Sequence, residues 1–306
     1  MLYFWIIFNL FALGLLVVDL RVFHRPGHVV GFREALGWSA MYVSLATLFA
    51  AVLYFWQGQQ ATLEFVAGYV LELSLSVDNL FVFLLIFNYF AVPDQQQHRV
   101  LFWGILGALV LRGVFIGAGV GLIHRFHWVL YLFGALLIYS GIRVCTTGDR
   151  QVDPSKNPVV KMVRRWVPVT SDYRDGKFFV RVAQGNGSLY ATPLLIVLLV
   201  IETTDVLFAV DSIPAILAIT LNAFIVYTSN VFAILGLRSM YFAVAGLMKI
   251  FRFLHYGLGI VLTLTGLKML AVDRFRPPVS IMLTVIAGVL FISIILSIAF
   301  PKPSQK

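Results

Sequence analysis

Residues 201–214 read IETTDVLFAVDSIP, an apolar segment interrupted by three carboxylates, Glu202, Asp205 and Asp211. The preceding residues 192–200, TPLLIVLLV, carry no charge at all. A stretch this long and apolar predicts a helix that crosses a membrane. A charged side chain at the centre of such a helix costs about 2.5–3.5 kcal/mol on insertion scales. Acids retained at that cost indicate a functional site inside the membrane.

The rest of the chain is as apolar as this segment. Its 306 residues are 60% hydrophobic and 12% charged, with a mean hydropathy of +0.91, whereas a soluble domain is about 25% charged. A helix needs ~20 apolar residues to cross a bilayer. We therefore predict an all-α polytopic membrane protein with nine transmembrane helices, at residues 3–22, 36–56, 62–91, 98–122, 128–146, 190–219, 222–248, 254–272 and 278–300.

The net charge of +9 would suit a nucleic-acid partner, but the distribution of Lys and Arg favours a lipid bilayer. These residues concentrate in alternate loops: between the first two helices, in residues 147–189, and between the seventh and eighth helices. This positive-inside pattern places the N-terminus outside and the C-terminus inside. We expect the membrane to be the inner membrane of a bacterium. The 147–189 loop is then cytoplasmic, and its stretch KFFVRVAQGNGSLYA predicts a β-hairpin. The single Cys145 excludes an intramolecular disulfide.

Two parts of the sequence resemble each other. LSVDNL, which contains Asp78, resembles FAVDSI, which contains Asp211, and this alignment places Glu72 opposite Asp205. Further along, GALLIYSGIR (residues 134–143) matches GIVLTLTGLK (259–268) without gaps. The sequence therefore contains an internal repeat, which is a strong indicator of architecture.

Each repeat unit holds three predicted helices: one with carboxylates, one with a single arginine (Arg112 or Arg238), and one rich in glycine. Because three is odd, the second unit enters the membrane from the opposite side. Inverted repeats of this kind occur in many secondary transporters, with the substrate near the midplane. The predicted parts are two N-terminal helices, the first unit, a basic loop, the second unit and a C-terminal helix with a short tail, at residues 1–57, 61–146, 147–189, 190–273 and 277–306.

Apart from Glu64, which we place at the outer mouth of its helix, the predicted carboxylate helices carry five acids. The two arginines leave about three negative charges unbalanced. A divalent cation, replaced by protons when the site is empty, would balance them. The nearby donors are all oxygens, which suit Mg²⁺, Ca²⁺ and Mn²⁺ better than Cu⁺ or Zn²⁺. Arg112 and Arg238 are candidate charge-balancing residues, and Asn230 has either a supporting or a packing role. The candidate ligands are Glu72, Asp78, Asn79, Glu202, Asp205, Asp211 and Ser212.

The spacing of the acids raises a geometric problem. Glu72 and Asp78 are six residues apart, about 240° around an ideal helix, so a straight helix does not turn both toward one ion. Pro214 follows Asp211 by three residues and removes the hydrogen bond to the Val210 carbonyl. We therefore predict unwound or kinked backbone at SVDN and AVDSIP, which would also free carbonyl oxygens as ligands.

Other interpretations of the acids remain open. They could form a structural ion-pair network with the two arginines, or belong to a metal sensor or scaffold that does not transport. Two Asp residues sharing a proton could also form an intramembrane aspartyl hydrolase, although the Gly-Asp motif of that class is absent. No G-x-x-x-x-G-K phosphate-binding loop is present. We expect a secondary transporter, not an enzyme.

Three motifs together resemble the TerC family of integral membrane proteins: ELSLSVDNLFVF, ETTDVLFAVDSIPAI and SNVFAILGLRSMYF. The resemblance covers about residues 60–275, and the family takes its name from tellurite-resistance operons. It implies Mn²⁺ export and metal homeostasis, with the seven candidate ligands above in the same motifs. Ligand chemistry alone does not select Mn²⁺ over Ca²⁺ or Mg²⁺ as the bound ion. We expect Mn²⁺ as the transported ion, protons as possible counter-ions, and no tightly bound cofactor.

Overall fold

The computed structural model describes residues 2–23, 31–147, 168–170, 172–173, 176–181, 189–245, 253–274 and 277–299. Within these ranges the backbone of Asp78 is described but its side chain is not. Most of the 147–189 loop and the tail after residue 299 lie outside the description.

The described residues form nine long helices, one for each predicted segment, and one two-stranded ribbon. Six of the helices (α2, α4, α5, α6, α7 and α9) are long and apolar enough to cross a membrane, whereas α1 and α8 contain shorter apolar stretches. The protein is thus an all-α polytopic membrane protein. The helices are α1 Leu2–Phe23, α2 Phe32–Gln57, α3 Gln59–Tyr89, α4 Asp94–Arg125, α5 Val129–Thr147, α6 Pro193–Leu217, α7 Ala223–Ala245, α8 Leu254–Leu270 and α9 Val279–Ala299.

The two acidic helices are continuous. α3 remains helical through SVDN, and α6 remains helical through AVDSIP with Pro214 inside it. The predicted unwinding at these motifs is therefore wrong. Pro214 lies in the last turn before Leu217, so it removes one bond, to the Val210 carbonyl, and only three helical residues follow it.

α7 is the most enclosed of the candidate membrane spans. α3 packs against α7, α4 packs against α6, and α5 packs against α8. α1 and α2 also pack against α7, and α9 packs against α3 and α8. As a result 83% of the apolar window of α7 is buried, far more than in the other candidate spans. The centre of the bundle is where α3, α4, α6 and α7 meet.

α5 and α8 cross with their backbones in contact at two pairs of glycines. A Cβ atom on Gly134 would lie 2.9 Å from the Gly266 carbonyl oxygen, and one on Gly141 would lie 2.5 Å from the Gly259 oxygen. The pairs run in opposite order along the two helices, so the helices are antiparallel. Small residues permit this close approach, which stabilises helix pairs in membranes.

A small cap covers one end of the bundle. It contains β1 (Phe179–Arg181), which pairs antiparallel with β2 (Leu189–Ala191) as the sequence predicts for a hairpin. Tyr173 donates a hydrogen bond to the Phe90 carbonyl (2.5 Å), and Arg99 Nη1 donates to the Gly176 carbonyl (2.9 Å). Burial raises the pKa of Tyr173, which widens the pH range in which its phenol donates this bond. The cap thus joins the α3–α4 turn to the start of α6.

Candidate functional site

Four helices meet at the guanidinium of Arg112, which extends from α4 and is 1% exposed. It forms ion pairs with Glu72 of α3 and with Asp205 of α6, where Nη2 lies 3.2 Å from Oδ1. Its Nη1 donates a hydrogen bond to Asn230 Oδ1 of α7 at 2.9 Å. These four residues are called the arginine-paired centre below.

The planar fork of Arg112 suits this arrangement because its N–H groups point in fixed, diverging directions. The amide of Asn230 is oriented by its own helix, since its Nδ2 donates to the Val226 carbonyl at 2.9 Å. That bond leaves Oδ1 free to accept from Arg112. Asn230 therefore contacts Arg112 directly and supports its position.

The arginine-paired centre holds two carboxylates for one guanidinium. Glu72 is 0% exposed and Asp205 is 3% exposed, so water cannot screen their charges. Within the described part of the chain, Glu72 Oε2 and Asp205 Oδ2 are buried without a hydrogen-bond partner, and so are the hydroxyls of Ser76 and Ser212. Buried polar atoms are normally satisfied. These four oxygens can accept an ion, a proton or water.

Asp211 lies in a different contact, toward α5. Its Oδ1 accepts a hydrogen bond of 2.6 Å from the hydroxyl of Ser140, and both residues are more than nine-tenths buried. A short bond from a hydroxyl to a carboxylate is among the stronger hydrogen bonds in proteins.

Glu202 faces α4. A Cβ atom on Gly107 would collide with its carboxyl group, so the glycine provides the space that the carboxyl occupies. Glu202 Oε2 is buried without a hydrogen-bond partner among the described residues. Because residues three apart are neighbours on a helix, Glu202 and Asp205 both face α4 from one side of α6.

The other predicted residues lie in the same helices. Asn79 and Arg238 are each 2% exposed, on α3 and α7, and Asp78 lies in α3 beside Asn79. Among the described side chains, no group of three or more His, Cys, Asp or Glu residues is arranged to hold a metal ion. The structure thus brings Glu72 and Asp205 together through Arg112 but places Glu202 and Asp211 in separate contacts. A single ligand set of seven residues stays a prediction.

Sequence reasoning missed Ser140 and Gly107. A signal for Ser140 was present, because the repeat match pairs it with Thr265 and so puts a hydroxyl before the same glycine in both units. Gly107 gave no comparable signal, since its role depends on which face of α4 meets Glu202.

Comparisons with known proteins agree with the membrane architecture. The sequence profile of the integral membrane protein TerC family matches residues 57–305. An uncharacterized membrane protein of Myxococcus xanthus is 48% identical over 294 residues, covering 96% of this chain and 91% of that protein. A protein of Escherichia coli K12 named as a candidate "membrane-bound redox modulator Alx" is 43% identical over 292 residues, covering 92% and 90%. No solved structure matches this chain.

Proposed function

The chain belongs to the TerC family of integral membrane proteins, and within it we propose a secondary transporter that exports divalent metal ions, with Mn²⁺ as the preferred substrate. The observation that carries the proposal is a set of buried oxygens on α3 and α6 that have no hydrogen-bond partner among the described residues: Glu72 Oε2, Ser76 Oγ, Glu202 Oε2, Asp205 Oδ2 and Ser212 Oγ. In a membrane protein such groups mark an ion or proton pathway.

The charge of the arginine-paired centre supports a cationic substrate. Two buried carboxylates against one guanidinium leave one negative charge, which repels anions and attracts a cation or a proton. Glu202 adds a further carboxyl group on the same face of α6. In this proposal protons replace the metal when the site empties, which couples export to proton entry.

The choice of Mn²⁺ rests on ligand chemistry and on the family. Carboxylate, amide and hydroxyl oxygens suit hard cations such as Mn²⁺, Ca²⁺ and Mg²⁺. The resemblance of the three motifs implies Mn²⁺ among these ions. The direction of transport, export, follows from the same resemblance.

The proposal includes an inverted repeat of nine crossings, with the N-terminus outside and the C-terminus inside. Its support is the α5–α8 crossing. In the gapless alignment Gly134 corresponds to Gly259 and Gly141 to Gly266. When the two units are exchanged, the contact of Gly134 with Gly266 therefore becomes the contact of Gly259 with Gly141. A pair of antiparallel helices with this property is expected when the two units are related by a two-fold axis in the membrane plane.

Metal flux into proteoliposomes tests the transporter. The wild type is compared with Asp78→Asn and Asp211→Asn across Mn²⁺, Ca²⁺, Mg²⁺, Zn²⁺ and Cd²⁺. We expect saturable Mn²⁺ flux with a change in lumenal pH, and loss of both in the two variants. Glu64→Gln is the matched control, because Glu64 is a carboxylate of α3 that already accepts hydrogen bonds from Gln60 (2.9 Å) and Thr220 (2.5 Å).

The alternative results identify the other candidates. Mn²⁺ binding by the folded protein without flux of any ion would overturn the transporter and favour a metal sensor or scaffold. Equal flux by the wild type and the Asp211→Asn variant would remove Asp211 from the site.

A further inference from the structure

Most hydroxyl residues in the described helices donate a hydrogen bond to their own helix, but Ser140 donates to a carboxylate on a different helix. Ser74, Thr204 and Thr265, for example, donate to the carbonyl four residues earlier in their own helix, at 2.6–2.7 Å. Ser140 instead donates to Asp211 Oδ1, on another helix. Local bonds of the first kind satisfy a hydroxyl inside an apolar bundle. The bond of Ser140 links α5 to an acid of the proposed site.

The position of Ser140 is fixed by the α5–α8 crossing. The next residue, Gly141, faces α8, where a Cβ would lie 2.5 Å from the Gly259 carbonyl oxygen. Because successive helical residues point about 100° apart, the Gly141 contact with α8 leaves Ser140 to face α6. The crossing therefore sets the direction in which the hydroxyl meets Asp211.

Thr265 provides an internal comparison. It corresponds to Ser140 in the repeat, precedes Gly266 as Ser140 precedes Gly141, and is fully buried. Its hydroxyl donates to the Val261 carbonyl of its own helix at 2.6 Å. The two units therefore share a hydroxyl position, but only the first unit is seen to use it for contact with an acid.

We infer that Ser140 is a positioning residue of the ion site: it holds the Asp211 carboxylate in the orientation that binds the transported cation, and so makes α5 part of that site. This inference rests on the proposed function. The hydrogen bond from Ser140 to Oδ1 fixes the direction of the carboxylate relative to α5. The serine oxygen keeps two lone pairs, and it is itself an oxygen ligand of the kind that hard cations bind.

The test compares Ser140→Ala with Thr265→Val, each of which removes one buried hydroxyl from equivalent positions. In Mn²⁺ flux we expect Ser140→Ala to raise KM about tenfold with little change in kcat, because a charge-assisted hydrogen bond is lost. Thr265→Val is expected to keep the wild-type KM. Ser140→Thr, which retains the hydroxyl, is expected to restore a KM close to that of the wild type.

Equilibrium binding of Mn²⁺ to the purified protein, followed by the electron paramagnetic resonance of free Mn²⁺, separates this inference from the transporter proposal. If the wild type binds without flux, the transporter fails, and weaker binding by Ser140→Ala alone still supports the positioning role. Equal affinity in Ser140→Ala and wild type would overturn the inference. An equal loss in Ser140→Ala and Thr265→Val would also overturn it, because the effect would then come from packing.

Discussion

Two regions of this bundle are held together by different forces. At the arginine-paired centre, one guanidinium joins α3, α4, α6 and α7 through charged and polar contacts in a buried environment. At the α5–α8 crossing, glycines let two backbones touch, and the contact contains no charge. Water does not drive helices together within a bilayer, so packing and polar contacts take over that role.

The two regions contribute different properties to the proposed site. The crossing gives shape: it sets the direction of Ser140 and, through it, of Asp211. The arginine-paired centre gives charge: its carboxylates exceed its guanidinium by one, and two of their oxygens have no hydrogen-bond partner among the described residues. Variants of the two regions should therefore fail in different ways.

The largest effect is expected from Arg112→Met. Removing one partner of a buried ion pair leaves uncompensated charge and typically costs about 3–5 kcal/mol. Here two carboxylates lose their partner, so we expect a large fall in thermal stability in detergent and loss of Mn²⁺ flux. Arg143→Met is the control, because Arg143 is exposed on α5. Similar stability losses in the two variants would contradict the claim that Arg112 holds α3, α4, α6 and α7 together.

Gly141→Ala should give a smaller loss of stability. The new Cβ would lie 2.5 Å from the Gly259 carbonyl oxygen, a backbone atom that can move only if the helices separate. Overpacking of this kind costs about 1–3 kcal/mol. Gly288→Ala in α9 is the control, since a Cβ there meets no atom within 4 Å. An unchanged melting temperature for Gly141→Ala would mean that the crossing is looser than described.

The smallest effect on stability is expected from Gly107→Ala. The added methyl group meets the end of the Glu202 side chain, which can rotate away, rather than backbone. We expect a melting temperature close to that of the wild type but a several-fold higher KM for Mn²⁺, because small displacements of site groups are costly to function. Gly117→Ala on the same helix has open space around it and serves as the control. Unchanged flux in Gly107→Ala would show that the position of Glu202 does not matter.

The apolar composition made much of the fold predictable. Each predicted segment corresponds to one helix, because a bilayer demands long apolar helices whatever their packing. The break at AVDSIP was predicted wrongly, since the helix continues through Pro214 to Leu217. The residues that contact the acids could not be predicted from the sequence either. Arg112 meets Glu72 and Asp205 only because α4 packs against α6 and α7, which both pack against α3, and no spacing along the chain encodes that contact.

Counterflow of Mn²⁺ tests the proposed transporter most directly. Proteoliposomes loaded with unlabelled Mn²⁺ are placed in a trace of ⁵⁴Mn²⁺, beside vesicles that hold the Asp211→Asn variant. A carrier exchanges internal for external ions, so we expect the wild type to accumulate label transiently above equilibrium and the variant to accumulate none. Absence of counterflow in wild-type protein that is folded and binds Mn²⁺ would contradict a carrier and leave a metal-binding membrane protein that does not transport.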